Sequence, residues 1–178
     1  MKSLFVLSVL FLMCCNQPQQ NDQGASKYDP SKIQEGPILK ADDPTKLFLV
    51  DITNASWYSA KLANAATLKS HDQYIIQSAQ IIRKSYTRIK DKTKITSIPY
   101  QVEVPYFLTQ AQNDSVNILQ RTDSLLFDYK FVTMIRNNDV VILKKCDDFQ
   151  ASAKRTEDLQ QLIDFCRSTV AESPLSKP

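Results

Sequence analysis

Glycine is almost absent from this chain. Of 178 residues two are glycine, Gly24 and Gly36, so nothing from 37 to 178 is glycine. Phosphate-binding loops, dinucleotide-binding turns, EF-hand loops and the G-x-S-x-G elbow each need glycine where backbone approaches a ligand or takes positive φ. None of these motifs is present. Histidine is equally scarce. His71 stands alone, which excludes multi-histidine metal sites and leaves one imidazole for any nucleophilic dyad. A charge surplus is lacking as well: 22 Lys and Arg face 19 Asp and Glu, for a formal net charge of +3. Nucleic-acid binding usually requires a larger and more clustered basic excess, and no nucleic-acid partner is expected. What is present is 43% hydrophobic and 23% charged residues, a balance that suits one soluble domain with a real core.

The longest apolar run lies at the start. Lys2 supplies a positive charge, and residues 4–13 are an unbroken run of Leu, Phe, Val, Ser and Met. As a helix, ten residues span about 15 Å, roughly half a bilayer's hydrocarbon core. That length fits the apolar segment of a signal peptide better than a membrane span. The run ends in Leu12-Met13-Cys14-Cys15, which resembles the lipobox of bacterial lipoproteins. In that class a Leu-like residue stands three before a cysteine, a small residue precedes it, and the cysteine becomes the lipidated first residue. Leu12 and Cys14 hold those places relative to Cys15, while Met13 stands where the class usually has a small residue. The resemblance implies cleavage before Cys15, acylation of its sulfur and a mature protein anchored to a cell-envelope membrane. An ordinary cleaved secretory signal is the alternative.

A polar stretch follows. Residues 16–23 read N-Q-P-Q-Q-N-D-Q, and both glycines and Pro18, Pro30 and Pro37 fall before Ile38. Such a segment buries too little apolar surface to offset its ordering entropy. As a flexible linker of about 28 residues it would span roughly 30 Å. The chain therefore divides into a signal peptide (1–14), a lipid-attachment cysteine with linker (15–43), one folded domain (44–173) and a disordered tail (174–178).

Within the domain, prolines are absent between Pro44 and Pro99 and between Pro105 and Pro174. Long segments without breakers favour helices. Ile75, Ala79, Ile82, Tyr86 and Ile89 recur at spacings of four and three, predicting a helix over 71–91 opened by a capping box of Ser70 and Gln73. Further helices are expected over 55–69, 114–127 and 151–170. Between them, Tyr100, Val102, Val104 and Tyr106 alternate with polar residues and read as a strand with Pro99 and Pro105 at its ends. Segments 131–135 and 140–143, rich in β-branched residues, flank Arg136-Asn137-Asn138-Asp139 and read as a hairpin, and 47–52 reads as a fourth strand. The expected fold is thus α+β, about four helices with a small antiparallel sheet. An all-helical bundle is the alternative, since Ile118, Leu125, Tyr129 and Val132 keep a helical spacing into the first hairpin strand.

Few residues point to chemistry. With Cys15 lipidated and Cys14 removed, Cys146 and Cys166 are the cysteines left. An even pair in an oxidising compartment reads as a disulfide, closing a loop of about 20 residues and stabilising by roughly 3 kcal/mol. Two buried thiols are the alternative. Arg83, Lys84, Arg88, Lys90, Lys92 and Lys94 form a basic run that reads first as the solvated back of a helix, with a contact face for an acidic partner, a polyanion or anionic headgroups as the alternative. His71 beside a helix start carries no accompanying nucleophile motif. Asp147-Asp148 and Glu157-Asp158 are sequence neighbours that point apart on a helix, so neither pair makes a catalytic dyad, and Asp148 reads as the cap of the last helix. No metal or cofactor is expected. The function expected is that of an exported, lipid-anchored, non-enzymatic protein binding another envelope protein or macromolecule. A soluble secreted binding or inhibitor protein comes next, and a small hydrolase using His71 last.

Overall fold

The computed structural model describes residues 39–152 and 156–175. The signal peptide, Cys15 and the linker up to residue 38 lie outside the described residues. The α+β expectation is overturned: the described chain forms five helices and one short 3-10 turn, with no strand among the described residues. The helices are α1 (Pro44–Lys69), α2 (Gln73–Ser97), α3 (Gln110–Arg121), α4 (Ser124–Ser152) and α5 (Glu157–Ala171).

Helix α1 opens at Pro44, whose missing N–H costs nothing at a first helical position. The Asp43 carboxylate caps it by accepting from Thr45 N at 2.8 Å. The helix is buried on several sides, through Phe48, Leu49, Ile52, Leu62 and a series of small residues, Ala55, Ser56, Ser59, Ala60, Ala63 and Ala66. Small side chains let neighbouring backbones approach, and α1 packs against α2, α3 and α4. The segment 47–52, expected as a strand, is therefore the first turns of the central helix. Its run of apolar residues reflects burial on several faces rather than a pleated edge.

Helix α2 shows the expected stripe: Ile75, Ala79, Ile82, Tyr86 and Ile89 are all buried. Its cap differs from the expected box. Asp72 accepts from Tyr74 N at 2.7 Å and Ile75 N at 3.2 Å, while Ser70 Oγ accepts from Asp72 N. After α2 and the 3-10 turn Ile98–Tyr100, Gln101 takes the left-handed conformation at φ 52°. The only glycines lie far upstream, so a glutamine carries a conformation that costs an ordinary residue about 1 kcal/mol. The segment expected as a strand around Val102 and Val104 is an irregular connector. Its alternation is real, since both valines are buried, but no partner strand pairs with it among the described residues.

The predicted helix over 114–127 is instead two. Thr109 and Gln112 form a reciprocal capping box that starts α3, and the chain turns at Thr122 before α4. The expected hairpin is wholly helical. Segments 131–135 and 140–143 and the supposed turn between them all belong to α4, whose buried residues Phe127, Phe131, Ile135, Asn138, Asp139, Ile142, Cys146 and Phe149 keep one helical stripe through the Asn-Asn-Asp sequence. The last helix begins later than expected, capped by Thr156 and not by Asp148; Asp148 lies inside α4. Helix α5 packs on α2 and α4. Pro174 and Leu175, expected in the disordered tail, pack on the bundle: the Pro174 carbonyl accepts from Tyr74 Oη at 3.0 Å and the Leu175 carbonyl from Arg136 Nε at 2.8 Å.

Helices α1 and α4 run antiparallel. Phe48 near the start of α1 stacks on Phe149 near the end of α4, with ring centroids 4.4 Å apart and planes 8° from parallel. One turn on, Asp51 and Lys145 form an ion pair at 2.7 Å. At the opposite end, Lys69 closes α1 against the α3–α4 corner by donating to the carbonyls of Gln120 (2.5 Å) and Thr122 (2.8 Å).

Candidate functional site

The interior of the bundle holds a polar seam, and α4 supplies its centre. The Tyr86 hydroxyl reaches from α2 and donates to Asp139 Oδ1. Asp139 is 4% exposed, and its Oδ2 is buried without a hydrogen-bond partner. Burial disfavours the charged carboxylate and pushes Asp139 up to about 6, against the pull of the Tyr86 hydrogen bond. Burial, followed by the charge and hydrogen bond of Asp139, holds the Tyr86 phenol well above its ordinary range. One residue earlier, Asn138 Nδ2 donates to the Ala55 carbonyl at 2.8 Å and to Ser59 Oγ at 2.7 Å, binding α4 to α1. These are the residues that read as a turn. Their helical spacing from Ile135 and Ile142 was the signal that they face inward.

Cys146 of α4 and Cys166 of α5 are fully buried free thiols. Their side chains share a hydrogen bond, which holds the Cys146 thiol below the usual range, with Arg167 assisting, and holds Cys166 above it, with burial adding to the rise. The fold thus brings together two sulfurs twenty residues apart. Charge on Cys166 adds, last in order, to the rise at Tyr86.

The basic run does not form one face. Arg88 and Lys92 lie over the ring of Phe165 on α5 at 5.5 and 5.2 Å. Lys90 lies over Trp57 on α1 at 4.5 Å, with Lys61 on the same ring at 4.7 Å. Lys94 lies over Tyr106 at 5.3 Å, Arg83 donates to Asn64 Oδ1 at 3.2 Å, and Lys84 is exposed. Residues two apart on a helix project in nearly opposite directions, so the cations divide between the two flanks of α2 and cover aromatic rings there. Trp57 and Tyr58 are both half-buried.

His71 stands exposed in the turn between α1 and α2. Its neighbours Ser70 and Asp72 spend their side chains on backbone amides. The adjacent carboxylates separate as expected: Asp147 pairs with Arg167 at 2.6 Å, and Asp148 with Lys144 at 2.9 Å. Among the described residues no group of three or more His, Cys, Asp and Glu could hold a metal ion, and no helix is long and apolar enough to cross a membrane.

The described residues include two modest concavities. One of about 120 Å³ lies between α2 and α5, lined by Ile82, Tyr86, Arg88, Phe165 and Glu172 among others. A wider groove of about 320 Å³ lies between the start of α1 and the end of α4. Neither has His71 or either cysteine in its lining.

The exposed surface carries a different feature. At the α1 end closed by Lys69, Leu68 is 78% exposed, Leu125 92% and Tyr129 76%, with Leu126 and Ile118 beside them in sequence and also exposed. The same stretch bears Arg121, Asp123 and Lys130, charges of both signs. Leu125 and Tyr129 belong, with Ile118 and Val132, to the helical spacing of the all-helical alternative. That spacing is exposed on both sides of the turn at Thr122, at Ile118 as at Leu125 and Tyr129, and α4 buries Phe127 and Phe131 instead. No known family model, curated protein or solved structure matches this chain.

Proposed function

We propose that this chain is an exported, lipid-anchored binding module whose helical bundle presents the apolar corner of α1, α3 and α4 to another envelope protein. The single observation that carries the binding half is that corner: Leu68, Leu125 and Tyr129 are large apolar side chains left almost wholly in water, where grouped exposure marks interaction surfaces. The anchoring half is supported by the lipobox-like Leu12-Met13-Cys14-Cys15. Helix α1 has 26 residues and is therefore about 39 Å long. The apolar corner lies past its last turn, at the end of the helix opposite Pro44. Its acidic as well as basic neighbours favour a protein face over an anionic bilayer.

The test uses the native anchored protein. A photo-crosslinking side chain at position 125 should yield a discrete adduct with one envelope protein, and the same side chain at exposed Lys84 should not. Cys15→Ala should move the chain from the membrane to the soluble fraction. Equal, diffuse crosslinking from both positions would remove the binding surface, and a Cys15→Ala chain that stays in the membrane would remove the anchor.

A further inference from the structure

We propose that the cavity formed by α2, α5 and the chain just after α5 is a binding site for a small zwitterion of the α-amino-acid class. Its lining carries one charge of each sign. Arg88 comes from α2, and Glu172 stands just past the end of α5. Among the described residues neither has an ion-pair partner, and they do not pair with each other. The Arg88 guanidinium instead lies over the ring of Phe165, another residue of the lining, at 5.5 Å. Apolar surface comes from Ile82, Phe165 and Tyr86. The Tyr86 hydroxyl is spent on Asp139, so Tyr86 offers its ring rather than a donor. The rim is held in place. Pro174 lines the cavity and its carbonyl accepts from Tyr74 Oη at 3.0 Å, while the Leu175 carbonyl accepts from Arg136 Nε at 2.8 Å. Glu172 itself is fixed by its backbone N–H, which donates to the Ser168 carbonyl at 2.9 Å. The site is therefore preformed, which spares a ligand the entropy of ordering it. None of these residues belongs to the apolar corner of α1, α3 and α4, so occupancy of one surface does not require the other.

Size and charge together select the ligand class. The volume of about 120 Å³ lies just under that of an engineered cavity of about 150 Å³ that admits benzene. It holds about six to eight non-hydrogen atoms and falls well below the roughly 300 Å³ at which drug-sized pockets begin. Alanine and valine have that size; tryptophan does not. A carboxylate matches the Arg88 fork, which can donate two parallel N–H bonds and is always charged. An ammonium supplies Glu172 with donors that a neutral ligand lacks. A simple carboxylate would answer Arg88 while drawing water away from Glu172, and a simple amine would do the converse. Each leaves one wall charge desolvated and unpaired, a cost that a zwitterion avoids. The apolar part of the lining then receives a small aliphatic side chain.

The test uses the purified full-length chain in detergent micelles. L-alanine and L-valine are titrated against it, read out by saturation-transfer NMR of the ligand. Saturable binding with a Kd of about 1 mM or tighter is expected. Propionate lacks the ammonium, ethylamine lacks the carboxylate, and L-tryptophan exceeds the cavity; each should bind at least about tenfold more weakly. Arg88→Gln and Glu172→Gln should each weaken alanine binding at least about tenfold. Both side chains reach solvent, so neither change should unfold the bundle. Lys84→Gln, which removes an exposed cation of the same helix that does not line the cavity, should leave binding unchanged. Absence of saturable binding by alanine and valine up to about 10 mM would overturn the proposal. Alanine binding untouched by both Arg88→Gln and Glu172→Gln would do the same. Propionate or ethylamine binding as tightly as alanine would mark a site for a single charge and refute the zwitterion.

Discussion

Tyr86 on α2 donates its hydroxyl hydrogen to Asp139 on α4, and the second oxygen of that carboxylate is buried without a partner. The pair sits where a helical bundle is normally apolar. A carboxylate so placed is easier to bury protonated than charged, which gives stability a definite pH dependence.

Asp139 is raised from its ordinary value of 3.8 to about 6 in the folded chain. The folded state therefore binds a proton that the unfolded state releases between those values. The cost of burying the charged form is absent below about pH 4, grows as pH rises, and is complete above about pH 6. Relative to Asp139→Asn, the native chain should gain stability on going from pH 7 to pH 4, by up to roughly 3 kcal/mol. Denaturant midpoints of both chains across that range measure it, and a constant difference between them contradicts it.

Removing the donor alone should be harmful. In Tyr86→Phe Asp139 Oδ1 loses its donor and both carboxylate oxygens are left without one, at a cost of about 2 kcal/mol at pH 7. The loss should shrink at pH 4, where the carboxyl is neutral. A chemical-denaturation comparison at the two pH values decides this, and an equal loss at both sinks the account.

Asn138 holds α4 to α1 through one amide group that donates to both the Ala55 carbonyl and Ser59 Oγ. Asn138→Ala should destabilise by about 2 kcal/mol and Ser59→Ala by about 1 kcal/mol. Because they share a bond, the double variant should cost less than the two single losses added together. Strict additivity in the double-mutant cycle would show that the bond contributes nothing.

Lys69 ends α1 by donating to two carbonyls at the end of α3 and in the turn that follows. It supplies both a charge-assisted hydrogen bond and a cation at a helix C-terminus. Lys69→Met keeps an unbranched apolar side chain and removes both effects, along with the ammonium's position 5.4 Å over the Phe127 ring. About 1–2 kcal/mol should be lost, with amide exchange rising first in α3 and not in α2. Uniform acceleration across the bundle would deny Lys69 this local role.

Leu125 is nearly free of the fold and should be nearly free of stability effects. Leu125→Glu should change the unfolding free energy by less than about 0.5 kcal/mol while abolishing the crosslink expected from this corner. A large loss of stability, or undiminished crosslinking from a neighbouring probe, would contradict the assignment of this residue to partner binding.

The stripe of α2 was legible because one face of that helix is buried and the other is wet, so hydrophobicity repeats with the helical period. The scarcity of glycine and the spacing of prolines likewise pointed to long helices. Helix α1 hid its nature because it is buried on several sides: Leu47 to Ile52 then reads as a short apolar run, which periodicity alone cannot assign to strand or helix. Helix α4 hid its nature because Asn138 and Asp139 are polar and buried, and turn chemistry was the local reading of an Asn-Asn-Asp sequence. The capping box of Thr109 and Gln112 was in plain sight and would have placed the start of α3.

What the sequence determined by itself is therefore local: the absence of glycine-dependent ligand loops, the apolar face of α2, and the resemblance at Cys15. Tertiary structure decided everything that depends on distant partners. Asp139 has its partner 53 residues away in Tyr86, and Asn138 has one 79 residues away in Ser59. Cys146 and Cys166 become neighbours only when α5 packs on α4. Leu125 faces outward because α4 buries the stripe of Phe127, Phe131 and Ile135. A side chain's polarity is written in the sequence, but whether it faces water, a neighbouring helix or a hydrogen-bond partner is set by which helices pack together, and that is a property of the whole chain.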